Sequence, residues 1–423
     1  MHRSDSSSAI SNPVSPETLL LIAFFFFNIL LLPGGLLYTT LLTPLFFLLL
    51  VRKRKWKPLL WYGGISLWMA YCHFSTGVDQ GAYIKSYILF SSAAIFAMWV
   101  WTYLAENHAK LGGFFRQITL YNTGFILLAI VGLVLPVLRG LLWYDVPIHA
   151  AIPAFPRLRL FVYEPSFYSF QLAPVLVYYF TAFVFSRNNQ YVMPLALLGF
   201  ALLISLSFGV IGGLVMAILL VFITHAFQLM KRKRIFFAAC YLGALALGAA
   251  YFVWEFFPLN PVVDRMEKIF AGHDSSANGR TWEAFMLAWK ILGKTDYLWG
   301  AGWGQIKIVG QPIIVEYYNY QGTWVDLVRI PNAMAETLAS LGLVGFLGRL
   351  LAELGLFFYT KVYSNYYRLI LFAFLFIYQF TGSYLTNIYE YLMWVMVFLP
   401  ILPQFNKEPP NRSEPTPAYK SLD

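Results

Sequence analysis

Two stretches of this chain carry the residue types that could handle an anionic ligand. The first, residues 139–165, holds Arg139, Asp145, His149, Arg157, Arg159 and Glu164. The second, residues 258–332, is longer and holds Arg265, Arg280 and Arg329 among several lysines and acids, including His273-Asp274, Glu283 and Asp326. Arginine presents a rigid fork of N–H donors that matches phosphate oxygens. One loop arginine alone more often snorkels to lipid headgroups or pairs with a nearby acid; as a set they favour an anionic ligand. The segment Arg157-Leu-Arg159-Leu-Phe-Val-Tyr163-Glu164-Pro165-Ser166 is the most informative. Proline is tolerated in a first helical turn and a carboxylate there is favoured by the dipole. Glu164 therefore reads as a cap, as the residue that orients an arginine, or as a proton acceptor.

Other familiar chemistry is missing. The histidines His2, His73, His108, His149, His225 and His273 show no zinc spacing. There is no Walker motif and no G-x-S-x-G. Trp299-Gly-Ala-Gly302-Trp303-Gly304 offers tight turns and close backbone approach, but no strand–helix context makes it a dinucleotide site. No cofactor and no metal are expected.

The elements that must position these residues follow from composition. Of 423 residues, 59% are apolar, 19% aromatic and only 12% charged, against roughly 25% charged in an ordinary soluble domain. A single soluble core cannot hide that much apolar surface, and disorder is excluded for the same reason. Cys72 and Cys240 lie in apolar runs, so a disulfide scaffold is excluded too. The reading is an all-α, polytopic transmembrane bundle. Apolar runs fall near 18–33, 35–51, 59–74, 83–104, 118–138, 166–185, 191–207, 209–229, 235–257, 333–358, 367–382 and 385–403, about 12 spans by the length of a bilayer crossing. Run 191–229 is too long for one span, and Ser205, Ser207 and Gly209 mark a turn within it. The first run has no cleavage site and reads as a retained span. The net charge of +10 sits largely in short clusters such as Arg52–Lys57 and Lys231–Arg234, all after even-numbered spans. That places both termini in the cytoplasm and needs no nucleic acid. No internal repeat supports an inverted-repeat transporter.

The domain organisation is then N-terminal helices over 1–138, a first external loop over 139–165, central helices over 166–257, a second external loop over 258–332, C-terminal helices over 333–405 and a polar tail over 406–423. Within the second loop, Trp282, Phe285, Met286, Trp289 and Leu292 have helical spacing on one face, with Ser276 or Asn278 as the cap. Inside the spans, Arg349 and Glu353 stand at i,i+4 and can pair, and Glu390 is an intramembrane acid and so a functional suspect.

Four ordered blocks carry a family resemblance. They are Arg159-x4-Glu164-Pro165-Ser166, Gly279-Arg280-x-Trp282, Trp299-Gly-Ala-Gly302-Trp303-Gly304, and Pro331-Asn332…Glu336…Gly342-Leu-Val-Gly345. Over most of its length the chain resembles the bacterial O-antigen polymerase and O-antigen ligase superfamily, of GT-C-like architecture with two large periplasmic loops. The resemblance implies an inner-membrane, metal-independent glycosyltransferase whose donor is an undecaprenyl diphosphate-linked oligosaccharide. The glycan passes to a sugar hydroxyl and undecaprenyl diphosphate leaves. Carried over by position, Arg159 and Arg280 are the diphosphate candidates, then Arg329 and Arg157, with Glu164 activating the acceptor or holding an arginine. Tyr163, Trp303 and Asn332 are candidates for contacting substrate, membrane lipid is a partner, and a chain-length regulator protein is a further candidate partner. Ligases of the family carry a histidine before the Asn of the last block; here that position is Pro331. Its absence favours a polymerase, or a branch with a different base, and leaves the general base open. Ligase-type transfer and a flippase or transporter of lipid-linked sugar are the alternative readings.

Overall fold

The computed structural model describes residues 16–27, 41–75, 77–145, 156–186, 188–225, 255, 267–268, 271–272, 274–320 and 328–407. These residues are mostly helical. The N-terminal part contributes α1 (Pro16–Phe27), α2 (Thr43–Arg52), α3 (Trp56–Phe74), α4 (Gln80–Asn107), α5 (Leu111–Gly132) and the short α6 (Pro136–Leu142). Two-residue strands β1 (Trp143–Tyr144) and β2 (Arg157–Leu158) pair antiparallel, Tyr144 opposite Arg157. Then come α7 (Pro165–Ser186), α8 (Val192–Ser205) and α9 (Phe208–Thr224). The second loop supplies α10 (Ser275–Arg280), α11 (Trp282–Leu292) and α12 (Gly310–Tyr318). The chain ends with α13 (Ala333–Tyr359), α14 (Tyr366–Tyr378) and α15 (Ile388–Phe398).

Among the described residues, three stretches are long and apolar enough to cross a membrane: Gln80–Gly132, which comprises α4 and α5, Pro165–Phe185 and Ala333–Tyr359. The remaining apolar helices α1, α2, α8, α9, α14 and α15 are shorter. They fall where apolar runs were expected. The expected span at 235–257 lies, apart from Glu255, outside the described residues, as do the adjoining ends of the first two spans, the Lys231–Arg234 cluster, His149, Arg265, His273, Asp326 and nearly all of the tail. The turn expected inside 191–229 is present: α8 stops at Leu206, which takes a left-handed conformation (φ 49°, ψ 39°), and α9 begins two residues later.

The main core joins α1, α2, α4, α5, α7, α8, α9, α14 and α15. It is built on aromatic stacking, with Phe24 and Phe96 centroids 3.7 Å apart and Trp99 fully buried beside them. Such close packing, with little water to exclude, is what holds helices together in an apolar medium.

A second apolar cluster packs α11 and α12 on the first turns of α13, through Ala284, Leu287, Ile291, Ile314 and Leu338. This corrects one expectation. Neither Ser276 nor Asn278 caps the amphipathic helix: both lie within α10, which Asp274 caps through Oδ1 accepting from the Ala277 N–H at 2.7 Å, and α11 follows Thr281, whose side chain makes no cap bond. The inward face of α11 is Ala284, Leu287, Ala288, Ile291 and Leu292, while Trp282 and Trp289 point outward, 74% and 52% exposed. Small residues face the layer because they allow α11 to approach α13 closely; large amphipathic rings stay on the outside.

The glycine-rich block locks this layer into α13. The helix is broken at Gly342 (φ 66°, ψ −167°). The freed groups are taken up by residues 297–302: Ala301 N–H donates to Ala339 O and Gly302 N–H to Ser340 O, each at 2.9 Å, while Leu343 N–H donates to Tyr297 O at 2.9 Å. Gly300 lies so close that a Cβ there would come within 2.5 Å of the Gly342 nitrogen. Both positions have φ in the region that only glycine adopts readily. The block is therefore a backbone clasp. His73 and Gln305 tie its other side to the α3–α4 turn, His73 Nε2 to Trp299 O at 2.9 Å and Gln305 Nε2 to Asp79 O at 2.9 Å.

Candidate functional site

The start of α7, the ends of α10 and α14, and the starts of α13 and α15 meet at one end of the bundle. There they enclose a cavity lined by Glu164, Ser166, Phe167, Phe170, Arg280, Pro331, Tyr378, Ser383, Tyr384 and Asn387. Its volume is about 20 Å³, room for one water molecule.

Glu164 sits at the N-cap of α7, where its backbone carbonyl accepts from Tyr168 N–H at 3.2 Å. Its side chain is turned elsewhere. Arg329 Nη2 donates to Glu164 Oε1 at 3.2 Å, and the Ser166 hydroxyl donates to Oε2 at 3.3 Å. Of the three readings open from sequence, the geometry matches the one in which Glu164 orients an arginine. The Arg329 guanidinium also stands 5.1 Å from the centre of the Tyr384 ring, which stacks against Phe167. Crowding by protein opposes the Arg329 charge, but Tyr384, Glu164 and Tyr163 outweigh it and hold its pKa above the ordinary arginine value. Arg329 is thus a fixed cation that still reaches the surface, its side chain 45% exposed.

Arg280 ends α10 and lines the cavity from the opposite side. Among the described residues no carboxylate or hydrogen-bond acceptor engages its guanidinium, while its backbone is anchored. Asn332 is completely buried; its Nδ2 donates to Arg280 O at 2.8 Å and to Phe380 O at 2.6 Å, and its Oδ1 caps α13 by accepting from Ala335 N–H at 2.8 Å. Asn332 therefore spends its hydrogen bonds on positioning Arg280 and the α14–α15 turn.

Arg157 and Arg159 occupy the adjoining first loop. Their guanidinium carbons lie 5.0 and 5.8 Å from the centre of the Tyr144 ring. Arg159 also donates to Tyr163 O at 3.2 Å and Gly140 O at 2.7 Å, which fastens the loop to α6. Burial, then the charges of Glu164 and Tyr163, raise the pKa of Tyr144. Glu164 and Tyr163 are thus shared neighbours of both arginine groups. Burial likewise raises Tyr384, against the pull of Arg329, so both phenols are neutral donors at physiological pH. Among the described residues, Arg280 lines the cavity and Arg329 pairs with Glu164 at its edge, while in the adjoining loop Arg139 and Asp145 pair with each other at 3.1 Å.

Trp303 is not part of this group. It is buried in a separate cluster, its ring stacked on Phe90 with centroids 4.2 Å apart. Conversely, Ser383, Tyr384 and Asn387 line the cavity without having been singled out in sequence. Their signal was the polar run Thr381-Gly-Ser383-Tyr384-Leu-Thr-Asn387 between two apolar runs. Among the described residues no three metal-binding side chains converge. No protein-family model matches the chain, and no curated protein matches it.

Proposed function

We infer that the protein is an integral membrane glycosyltransferase that polymerises polyprenyl diphosphate-linked oligosaccharide repeat units. The observation that carries this reading is that Arg280 lines the cavity while Arg329, from a segment far away in the chain, pairs with the cavity residue Glu164. Cations held in place before reaction stabilise charge that develops on a leaving group, and do so most strongly away from water. A diphosphate leaving group needs that stabilisation. The small cavity is the floor of the site; the diphosphate docks above it, between Arg280 and the exposed Arg329, with the first-loop arginines alongside. Sugars then lie against Tyr384 and Tyr163. With the external arginines facing the periplasm, the growing chain is the donor and the incoming unit the acceptor, at the outer face of a bacterial inner membrane. Undecaprenyl diphosphate is the carrier implied by the family resemblance.

One observation favours a second reading, a flippase for the same lipid-linked sugar. Arg349, Glu353 and Glu390 form a buried charged group between α13, α14 and α15, and intramembrane charges mark transport paths. Arg280→Ala separates the two. Loss of polymer with single units still delivered to the outer face supports transfer; loss of delivery itself supports the flippase.

A further inference from the structure

One wall of the cavity leads away from the arginines into that buried charged group. The Ser383 hydroxyl donates to Glu390 Oε2 at 2.6 Å and accepts from Asn387 Nδ2 at 3.0 Å. Ser383 and Asn387 both line the cavity, whereas the Glu390 side chain is 2% exposed. Glu390 Oε1 is held by Arg349 Nη2. Arg349 also donates to Glu353 Oε1 at 2.9 Å, Thr337 Oγ1 at 3.1 Å and Gln379 Oε1 at 2.8 Å, and Gln379 Nε2 closes the ring on Glu353 Oε2 at 2.7 Å.

The charges in this group do not cancel. One guanidinium faces the carboxylates of Glu353 and Glu390; Glu336, a third acid, feels both Glu390 and Arg349, and Lys307 acts on it from further off. Buried carboxylates in excess of their counter-cation are strongly disfavoured. The group is built to accept one more positive charge, and a proton is the smallest that can arrive along a hydrogen bond. Ser383 is the bridge. With its hydrogen committed to Glu390, a lone pair of its oxygen is left to accept from a hydroxyl in the cavity.

We propose that Ser383 and Glu390 form the proton relay for the attacking sugar hydroxyl, an inference that rests on the glycosyl-transfer reading. The acceptor oxygen forms a bond to the anomeric carbon of the donor. The bond from that carbon to the diphosphate oxygen breaks, and its electron pair leaves on the diphosphate, facing Arg280 and Arg329. The acceptor's proton passes to Ser383 Oγ as the Ser383 proton passes to Glu390 Oε2. The products are one glycosidic linkage, a polyprenyl diphosphate with one more negative charge, and a neutral Glu390. After product leaves, the proton returns through Ser383 to water in the cavity. Ser383 touches the substrate and Glu390 takes its proton; Arg349 and Asn387 hold the pair in position.

The test uses the full chain in detergent, with one synthetic polyprenyl diphosphate-linked repeat unit and the rate of the first coupling as readout. Ser383→Ala and Glu390→Gln are expected to lower kcat by about 10²–10⁴-fold, the usual worth of a positioned proton acceptor, with KM within about 3-fold in each case. Ser383→Cys, which keeps an X–H group without adding a β-branch where the backbone is left-handed (φ 64°), recovers part of kcat. This split and rescue are not what a structural role gives. If Glu390→Gln fails to fold, Ser383→Ala decides alone, since it leaves the Arg349 pairing intact. A folded Ser383→Ala with kcat within about 3-fold of the unaltered chain overturns the relay and leaves transfer standing. No coupling by the unaltered chain overturns the transfer reading and the relay with it.

Discussion

Asn332→Ala is the substitution whose effect follows most directly from the geometry. The Asn332 side chain is fully buried and makes three bonds, one to the Ala335 N–H and two to the carbonyls of Arg280 and Phe380. Losing the cap costs about 1 kcal/mol. Each carbonyl stripped of its donor in a buried place costs about 1–3 kcal/mol, and a water entering the void recovers part of that. The expected loss is therefore about 3–5 kcal/mol, by these same principles. Asn332→Asp keeps the cap but places a carboxylate oxygen against the two carbonyls, so it is expected to destabilise at least as much. Equilibrium unfolding of the purified variants in detergent measures both. Because Asn332 holds the backbone of Arg280, any folded fraction should also lose transfer activity. An Asn332→Ala protein within about 0.5 kcal/mol of the unaltered chain, in the range of an ordinary surface substitution, would refute the positioning role.

Three further outcomes are expected. Arg280→Ala should lower the coupling rate by about 10²–10³-fold, the scale for removing one preorganised donor to developing negative charge; Arg280→Lys should recover only part of it, because the fork is lost. Glu164→Gln should change unfolding stability by less than about 1 kcal/mol, since its partner Arg329 is 45% exposed, while raising KM for the lipid-linked donor in a titration of the initial rate as Arg329 loses its anchor. Gly342→Ala should destabilise by at least about 2 kcal/mol, from a left-handed φ and from a Cβ driven into the Leu298 backbone; the yield of folded, monodisperse protein in detergent reports it.

The helices and their breaks were legible wherever the cause was local. Apolar runs located α4, α7 and α13, and Ser205, Ser207 and Gly209 marked the turn between α8 and α9. Glu164 was recognisable as a residue at the start of a helix because Pro165 follows it. Its partner was not, since Arg329 is 165 positions away and nothing local encodes that pairing. Asn332 was singled out, but its buried bonds to two distant carbonyls make it a bracket in place of a substrate contact. The spacing of Trp282, Phe285, Met286, Trp289 and Leu292 marks α11 as a helix but does not say which face meets α13: that face is built on Ala284, Leu287, Ala288, Ile291 and Leu292, because close approach to α13 selects alanines. The clasp at Gly300 and Gly342 was likewise hidden, because each glycine alone permits a turn and only their contact shows why both are there. Ser383, Tyr384 and Asn387 were overlooked because a polar run between two apolar runs reads first as a loop.

The most direct test of transfer at this cavity is product stoichiometry with the full chain, in detergent, on one synthetic undecaprenyl diphosphate-linked repeat unit, resolved by mass spectrometry beside Arg280→Ala. Transfer there predicts a ladder of whole repeats, one undecaprenyl diphosphate released for each new linkage, and a ladder nearly abolished in Arg280→Ala. Single units left unchanged by the unaltered chain, or an equal ladder from Arg280→Ala, would contradict it.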